Sequence, residues 1–145
     1  MKHSVLLLPA GPRLAGPRLA GMVLAGLLTA CVPTGPADLE AVQQQNIRVV
    51  RQLEAGLNRQ DWAGVARLYA ERVRYKGPHT RYREVEQTPG QVVAAYRGYH
   101  LEITQLYAAY EHHVVVEGQL SHGPPQPVCL IYTIENGRIT RQFTY

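Results

Sequence analysis

The chain has 145 residues, a length that fits one domain, and 46% of them are apolar, enough for a packed core and too many for a disordered segment. Its formal charge of +4 owes three cations to Lys2, Arg13 and Arg18, all ahead of Cys31; the other twelve Lys and Arg face eleven Asp and Glu, so the rest of the chain is close to neutral. Charge therefore gives no argument for a nucleic-acid partner.

Residues 1–30 read as a targeting segment rather than as part of a fold. The leader carries cations and no acid, and A-G-P-R-L occurs twice, at Ala10–Leu14 and Ala15–Leu19, with prolines that oppose a stable helix. The apolar run from Leu19 to Ala30 falls short of the roughly 20 residues needed to span a bilayer. It suits a signal-peptide core of about 7 to 15 residues. Leu28-Thr29-Ala30-Cys31 resembles the bacterial lipoprotein signal, in which the Cys becomes the first mature residue and carries the lipid. The resemblance implies export to the cell envelope and a membrane anchor at Cys31 on the extracytoplasmic side. Val32, which is not Asp, favours the outer membrane in bacteria that have one. Residues 31–40 then serve as a tether, rich in Pro and Gly from Val32 to Ala37. With Cys31 lipidated, Cys129 has no intrachain partner, so no disulfide framework exists and Cys129 reads as a small buried thiol.

The folded part spans residues 41–145. Asp38 is a candidate cap for a first helix running to about Leu57, with Val49, Val50, Leu53 and Leu57 on one face. Asn58 is expected to end it in a left-handed conformation. Asp61 reads as the N-cap of a second helix, Trp62 to about Ala70, whose apolar stripe is Trp62, Val65, Ala66 and Tyr69. Alternation then predicts short strands at Val73–Lys76 and Arg81–Glu86, on either side of Gly77-Pro78-His79. Thr88-Pro89-Gly90 marks the start of a third helix with Val92, Val93 and Tyr96 on its apolar face. Leu101–Glu111, His113–Ser121, Val128–Glu135 and Arg138–Tyr145 read as long strands of a meander, the last two joined at Asn136-Gly137, where both positions tolerate positive φ.

The run Asn58, Asp61, Trp62, Leu68, Tyr69, Ala70, Val73 and Tyr75, together with the ending Glu135-Asn136-Gly137-Arg138-Ile139, Phe143 and Tyr145, resembles the SnoaL-like branch of the nuclear transport factor 2-like superfamily. The resemblance implies an α+β fold: a cone-shaped, curved, mainly antiparallel sheet of about six strands with three helices on its concave face and a pocket between. It does not imply one activity, since members include isomerases, cyclases, dehydratases, hydrolases and binding modules. Enzymes of the family place an Asp, Glu or His in the cone as general base. Ketosteroid-isomerase-like members carry an Asp just after the strand that follows the second helix, where this chain has Lys76-Gly77-Pro78-His79. Epoxide-hydrolase-like members carry one near the end of the last strand, where this chain has Gln142-Phe143-Thr144-Tyr145. Both acids are missing, which favours a small-molecule-binding or scaffold module over an enzyme.

For the alternative, a small enzyme, His113 and Glu111 are the candidate bases. His112 and His113 are adjacent, so in a strand they point to opposite faces and one must face inward. His79 and His122 fall in loops, His100 at a strand start, and each reads first as a surface or rim residue. No His or Cys spacing supports a metal, and no cofactor is implied. Nine tyrosines against one Phe suggest either an ordinary core or a pocket lined by rings and a few hydroxyls, suited to a small apolar ligand. The candidate ligand contacts are Trp62, Tyr69, Tyr96, Tyr107, Tyr132 and Tyr145. Arg72, Arg74, Lys76, Arg81 and Arg83 read as a solvated edge partly neutralised by Glu71, Glu84 and Glu86. Consecutive apolar residues at Val114–Val116 and Val128–Tyr132 give these strands two apolar faces and suggest a homodimer paired through the sheet.

Overall fold

The structure, a computed structural model, describes residues 36–145. The signal segment, Cys31 and the first half of the tether lie outside the described residues. Helix α1, Pro36–Asn58, starts earlier than expected, so residues 36–40 are its first turns and Asp38 lies inside it. Its apolar stripe is the expected one, with Val49, Val50, Leu53 and Leu57 buried. The turn that follows is built differently. The positive φ is at Gln60 (58°), and Asn58 stays helical. Asp61 caps α2, Trp62–Arg67, by accepting the Gly64 N–H at 2.9 Å. That helix ends three residues before the expected Ala70, because Tyr69 already opens β1, Tyr69–Lys76. Arg81 and Tyr82 both have positive φ and follow a 3₁₀ turn at Pro78–Thr80, so the expected second strand shrinks to β2, Val85–Gln87. Helix α3, Pro89–Ala95, is capped by Thr88 as expected, and Gln91 returns a bond to the Thr88 N–H, which completes a capping box.

The long strands are β3 (His100–Ala109), β4 (His113–Ser121), β5 (Pro125–Glu135) and β6 (Arg138–Thr144). The six strands form one open mixed sheet in the order β2-β1-β6-β5-β4-β3, in which only the β1–β6 pair is parallel. Asn136 and Gly137 turn the last hairpin with φ of 51° and 72°. Val73, Tyr75, Val114, Val116, Leu130, Tyr132, Ile134 and Ile139 join the helices' apolar faces in a single core. This is the expected α+β architecture.

Helix α1 also seals the free edge of β3. The Asn58 amide donates to Leu101 O at 2.7 Å and accepts from Leu101 N–H at 2.9 Å. The Glu54 carboxylate accepts from Ile103 N–H at 2.9 Å, and Asn46 donates to Glu111 O at 2.9 Å. An unpaired strand edge is a template for aggregation, and here side chains of one helix occupy it.

Candidate functional site

A cavity of about 430 Å³ opens where the ends of β1 and β6, the end of α3 and the β4–β5 hairpin meet. Its floor is made of hydroxyls: Tyr75 from β1, Tyr96 at the C-cap of α3 and Thr144 at the end of β6. Inward alternation along β6 sets Gln142 two residues behind Thr144, fully buried. Gly77 admits this packing: a Cβ there would lie 2.7 Å from the Tyr75 hydroxyl and 3.2 Å from Thr144 Cβ. The walls come from Pro78 and His79 on the 3₁₀ turn, from Tyr82 and Tyr99, and from Leu120, His122, Pro124, Pro127 and Val128 on the hairpin.

The hydrogen bonds behind the floor run in one direction. Tyr69 donates to Gln142 Oε1 at 2.6 Å. That bond orients the amide, and Gln142 Nε2 donates to the Tyr96 hydroxyl. Tyr96, having accepted, keeps its own proton to give; Thr144 Oγ1 lies 3.2 Å away, and the Tyr75 ring meets the Tyr96 ring edge-on with centroids 6.4 Å apart. Burial pushes the Tyr69 and Tyr96 hydroxyls well above the usual phenol range, and neighbouring tyrosines push the same way. Burial raises Tyr75 as well, partly offset by its bonds with Tyr96 and Thr144. All three are neutral phenols at neutral pH, so the floor presents O–H donors and no phenolate.

The rim is aromatic. Tyr99 stacks on His122 with ring centroids 4.9 Å apart, and His79 meets Tyr99 edge-on at 6.2 Å. His122 Nδ1 sits 3.0 Å from the Gly98 carbonyl. A carbonyl only accepts, so the bond places the proton on Nδ1 and leaves Nε2 as the free acceptor. Gly98 has φ +82°, and a Cβ there would lie 2.7 Å from His122 Cε1. No Asp, Glu, Lys or Arg among the described residues lines the cavity. Among the described residues no group of three His, Cys, Asp or Glu is placed to hold a metal.

The profile of the SnoaL-like domain matches residues 49–142, which include the second half of α1, α2, α3, β1 to β5 and most of β6. The chain belongs to the SnoaL-like family. Solved structures agree on the fold. A candidate ketosteroid isomerase from Kribbella flavida is 22% identical, with 70% of this chain and 76% of that one covered and a TM-score of 0.60. An epoxide hydrolase from M. tuberculosis is 20% identical over 70% and 82%, with a TM-score of 0.59. A protein of unknown function with a cystatin-like fold from Methylobium petroleophilum is 15% identical over 71% and 76%, with a TM-score of 0.63. No curated protein matches the sequence. Identities this low carry the fold and not the activity.

The two stretches in which SnoaL-like enzymes were expected to carry acids both meet this cavity, with His79 in one and Gln142 and Thr144 in the other. The candidate bases do not. Glu111 and His113 lie at the β3–β4 turn, and His113 opens the strand whose far end, at Leu120, reaches the cavity; seven strand residues put them roughly 23 Å apart. His113 is in phase with Val115 on the outer face, because Val114 and Val116 point inward, and His112 lies in the turn, its Nε2 3.8 Å from Glu111 Oε2. Among the candidate ligand contacts, Tyr96 and Tyr145 line the cavity and Tyr69 backs its floor through Gln142. Tyr132 is in the core, and Trp62, partly buried, packs against it. Tyr107 was expected on a buried face and is 47% exposed. The register shifts between Ile103 and Gln105, so Thr104 is an extra residue that reverses the alternation beyond it. Tyr145 lines the mouth and is half exposed, with Lys76 Nζ 4.8 Å from its ring centroid. Simple alternation missed Gln142 and Thr144, because a reading that looks for apolar residues places Phe143 and Tyr145 inward instead.

Proposed function

We propose that this protein is an exported, lipid-anchored module whose SnoaL-like cavity binds a small, neutral, ring-containing molecule without carboxylate-based catalysis. The observation that carries this reading is the floor: three neutral hydroxyls fed by a one-way chain of donors, beneath aromatic and proline walls and with no charged carboxylate, Lys or Arg in the lining. Such a floor suits a carbonyl, ether or hydroxyl oxygen on an otherwise apolar ligand. An anionic ligand would find no Lys or Arg among the described lining residues to pair with, and would bear the cost of desolvation at the floor. The sequence Leu28-Thr29-Ala30-Cys31 supports the anchor and the extracytoplasmic location.

A thermal-shift screen of small molecules tests the binding half, with neutral ring compounds expected to raise the melting temperature and carboxylates expected not to. Mass spectrometry of the N-terminus from the native host tests the anchor: a mature chain starting anywhere but at a lipidated Cys31 removes it. The second reading, a small enzyme, draws on His122, whose Nε2 lone pair the Gly98 contact leaves free at the cavity wall. A His122-dependent exchange of the protons next to a bound ketone's carbonyl would favour it.

Self-association through the outer sheet face is part of the same reading. Tyr107, Val115, Ile131 and Phe143 are cross-strand neighbours there, opposite in phase to the buried Val114, Val116, Leu130 and Tyr132.

A further inference from the structure

Away from the cavity, four arginines converge where α2 crosses α1. Arg48 and Arg51 lie on one stripe of α1, opposite the face that buries Val49, Val50, Leu53 and Leu57; Arg59 follows in the turn just after the helix, and Arg67 joins them from the end of α2. They line an open groove of about 530 Å³. The helices meet closely there, since a Cβ on Gly56 would lie 2.7 Å from Val65 Cγ2. The one acid in the lining, Asp61, is engaged by the Gly64 N–H at 2.9 Å. Arg51 pairs with Glu54 at 2.9 Å. Arg48, Arg59 and Arg67 have no carboxylate partner among the described residues. The β1–β2 edge differs: Arg72 pairs with Glu86, and Arg74 with Glu84. In a domain whose charges nearly cancel, this groove keeps its positive charge.

We propose that the groove docks on the phosphates of anionic phospholipid headgroups, laying α1 along the membrane that carries the anchor. The proposal rests on lipidation of Cys31 as read above. Helix α1 begins five residues after Cys31, and five residues reach at most about 17 Å. The helix itself is about 35 Å long, so its arginine stripe is held within reach of the bilayer surface. Guanidinium groups bind phosphate oxygens in pairs. A basic patch beside a lipid anchor adds a second, electrostatic contact with an anionic surface. A free acidic protein would have to compete for this face with headgroups held beside it at high local concentration.

The test uses the full chain with Cys31→Ser, which cannot be lipidated, alone and with Arg48→Gln, Arg59→Gln and Arg67→Gln combined. Residues 1–30 are common to both and cancel in the ratio. Binding is measured by flotation with vesicles of phosphatidylcholine alone or with one-third phosphatidylglycerol. An arginine near an anionic surface contributes about fivefold in affinity, so the triple variant should bind the phosphatidylglycerol vesicles about a hundredfold less well. The two chains should bind neutral vesicles equally, and their difference should vanish at high salt. Equal binding to the anionic vesicles overturns the proposal, as does a loss that extends to neutral ones. A triple Arg→Lys variant keeps the charge and should keep binding. If it loses binding while inorganic phosphate at millimolar levels competes, the groove holds a discrete phosphate and the membrane reading falls. A mature chain without lipid on Cys31 would defeat the anchor separately, whatever the vesicles show.

Discussion

Replacing Gln142 with Leu keeps the volume of a fully buried side chain and removes both ends of its bridge. Gln142 accepts from Tyr69 at 2.6 Å and donates to Tyr96. Tyr96 retains Thr144 as a partner, whereas Tyr69 has no other side-chain hydrogen-bond partner among the described residues. An unpaired buried hydroxyl costs about 1–3 kcal/mol, and the lost bond to Tyr96 about 1 kcal/mol more, so the expected destabilisation is about 2–4 kcal/mol. Tyr69→Phe alone strands Gln142 Oε1 instead, at about 1–3 kcal/mol. The double variant removes both partners and should cost less than the sum of the singles by about 1–3 kcal/mol. Urea unfolding followed by the fluorescence of Trp62, the only tryptophan, measures all four corners of the cycle. Additivity within about 0.5 kcal/mol would refute the bridge as the link between Tyr69 and the cavity floor.

Alkaline stability follows from the raised tyrosines: Tyr69, Tyr75, Tyr96 and Tyr132 stay protonated in the fold above the pH at which the unfolded chain ionises, so their contribution is intact below about pH 10 and is lost as pH rises through the folded values. Unfolding free energy should fall above pH 10 by up to about 1.4 kcal/mol per unit for each such tyrosine, and a flat profile from pH 9 to 11 would contradict the burial. Asn58→Ala should cost about 1–3 kcal/mol in urea unfolding by stranding Leu101 N–H and C=O, and should raise aggregation by baring the β3 edge; a neutral effect would mean α1 does not seal it. Val115→Glu should convert a dimer of the unlipidated chain to monomers by light scattering while leaving the helix content unchanged, and a wild-type chain that is monomeric at high micromolar concentration removes the interface altogether.

Much of the fold was legible because local chemistry and global pattern agree. Asp61, Thr88 and Asn136-Gly137 are residues whose preferred conformations coincide with their structural tasks, and each does what its type suggests. The α1 stripe was equally plain from spacing. The failures share a cause, which is tertiary contact overriding local preference. Asn58 is a good left-handed residue, but its amide has a better use in pairing both backbone groups of Leu101, and Gln60 takes the positive φ. Tyr107 changed face through one extra residue at Thr104, which no period-two count foresees.

The site was less legible than the fold. Tyr96 and Tyr145 were nominated from composition and do reach the cavity. The argument that one of two adjacent histidines must face inward favours His113, yet the strand begins only at His113 and starts on its outer face. His79 and His122 become cavity walls only because the 3₁₀ turn and the β4–β5 hairpin converge from positions more than 40 residues apart. Gln142 and Thr144 carried one signal, polar residues in phase on a strand whose neighbours line the core, and it is recognisable only once the inward phase is known.

The cavity's defining property is a lining without Asp, Glu, Lys or Arg among the described residues and with donors at its floor, and calorimetric titration with a matched pair of probes tests that directly. A bicyclic aromatic ketone and the corresponding carboxylate differ in charge and little in shape. The ketone should bind and the carboxylate should not, and Tyr75→Phe should weaken ketone binding by up to about tenfold, the worth of one hydrogen bond. Tighter binding of the carboxylate, or ketone binding indifferent to Tyr75, would contradict that reading of the cavity.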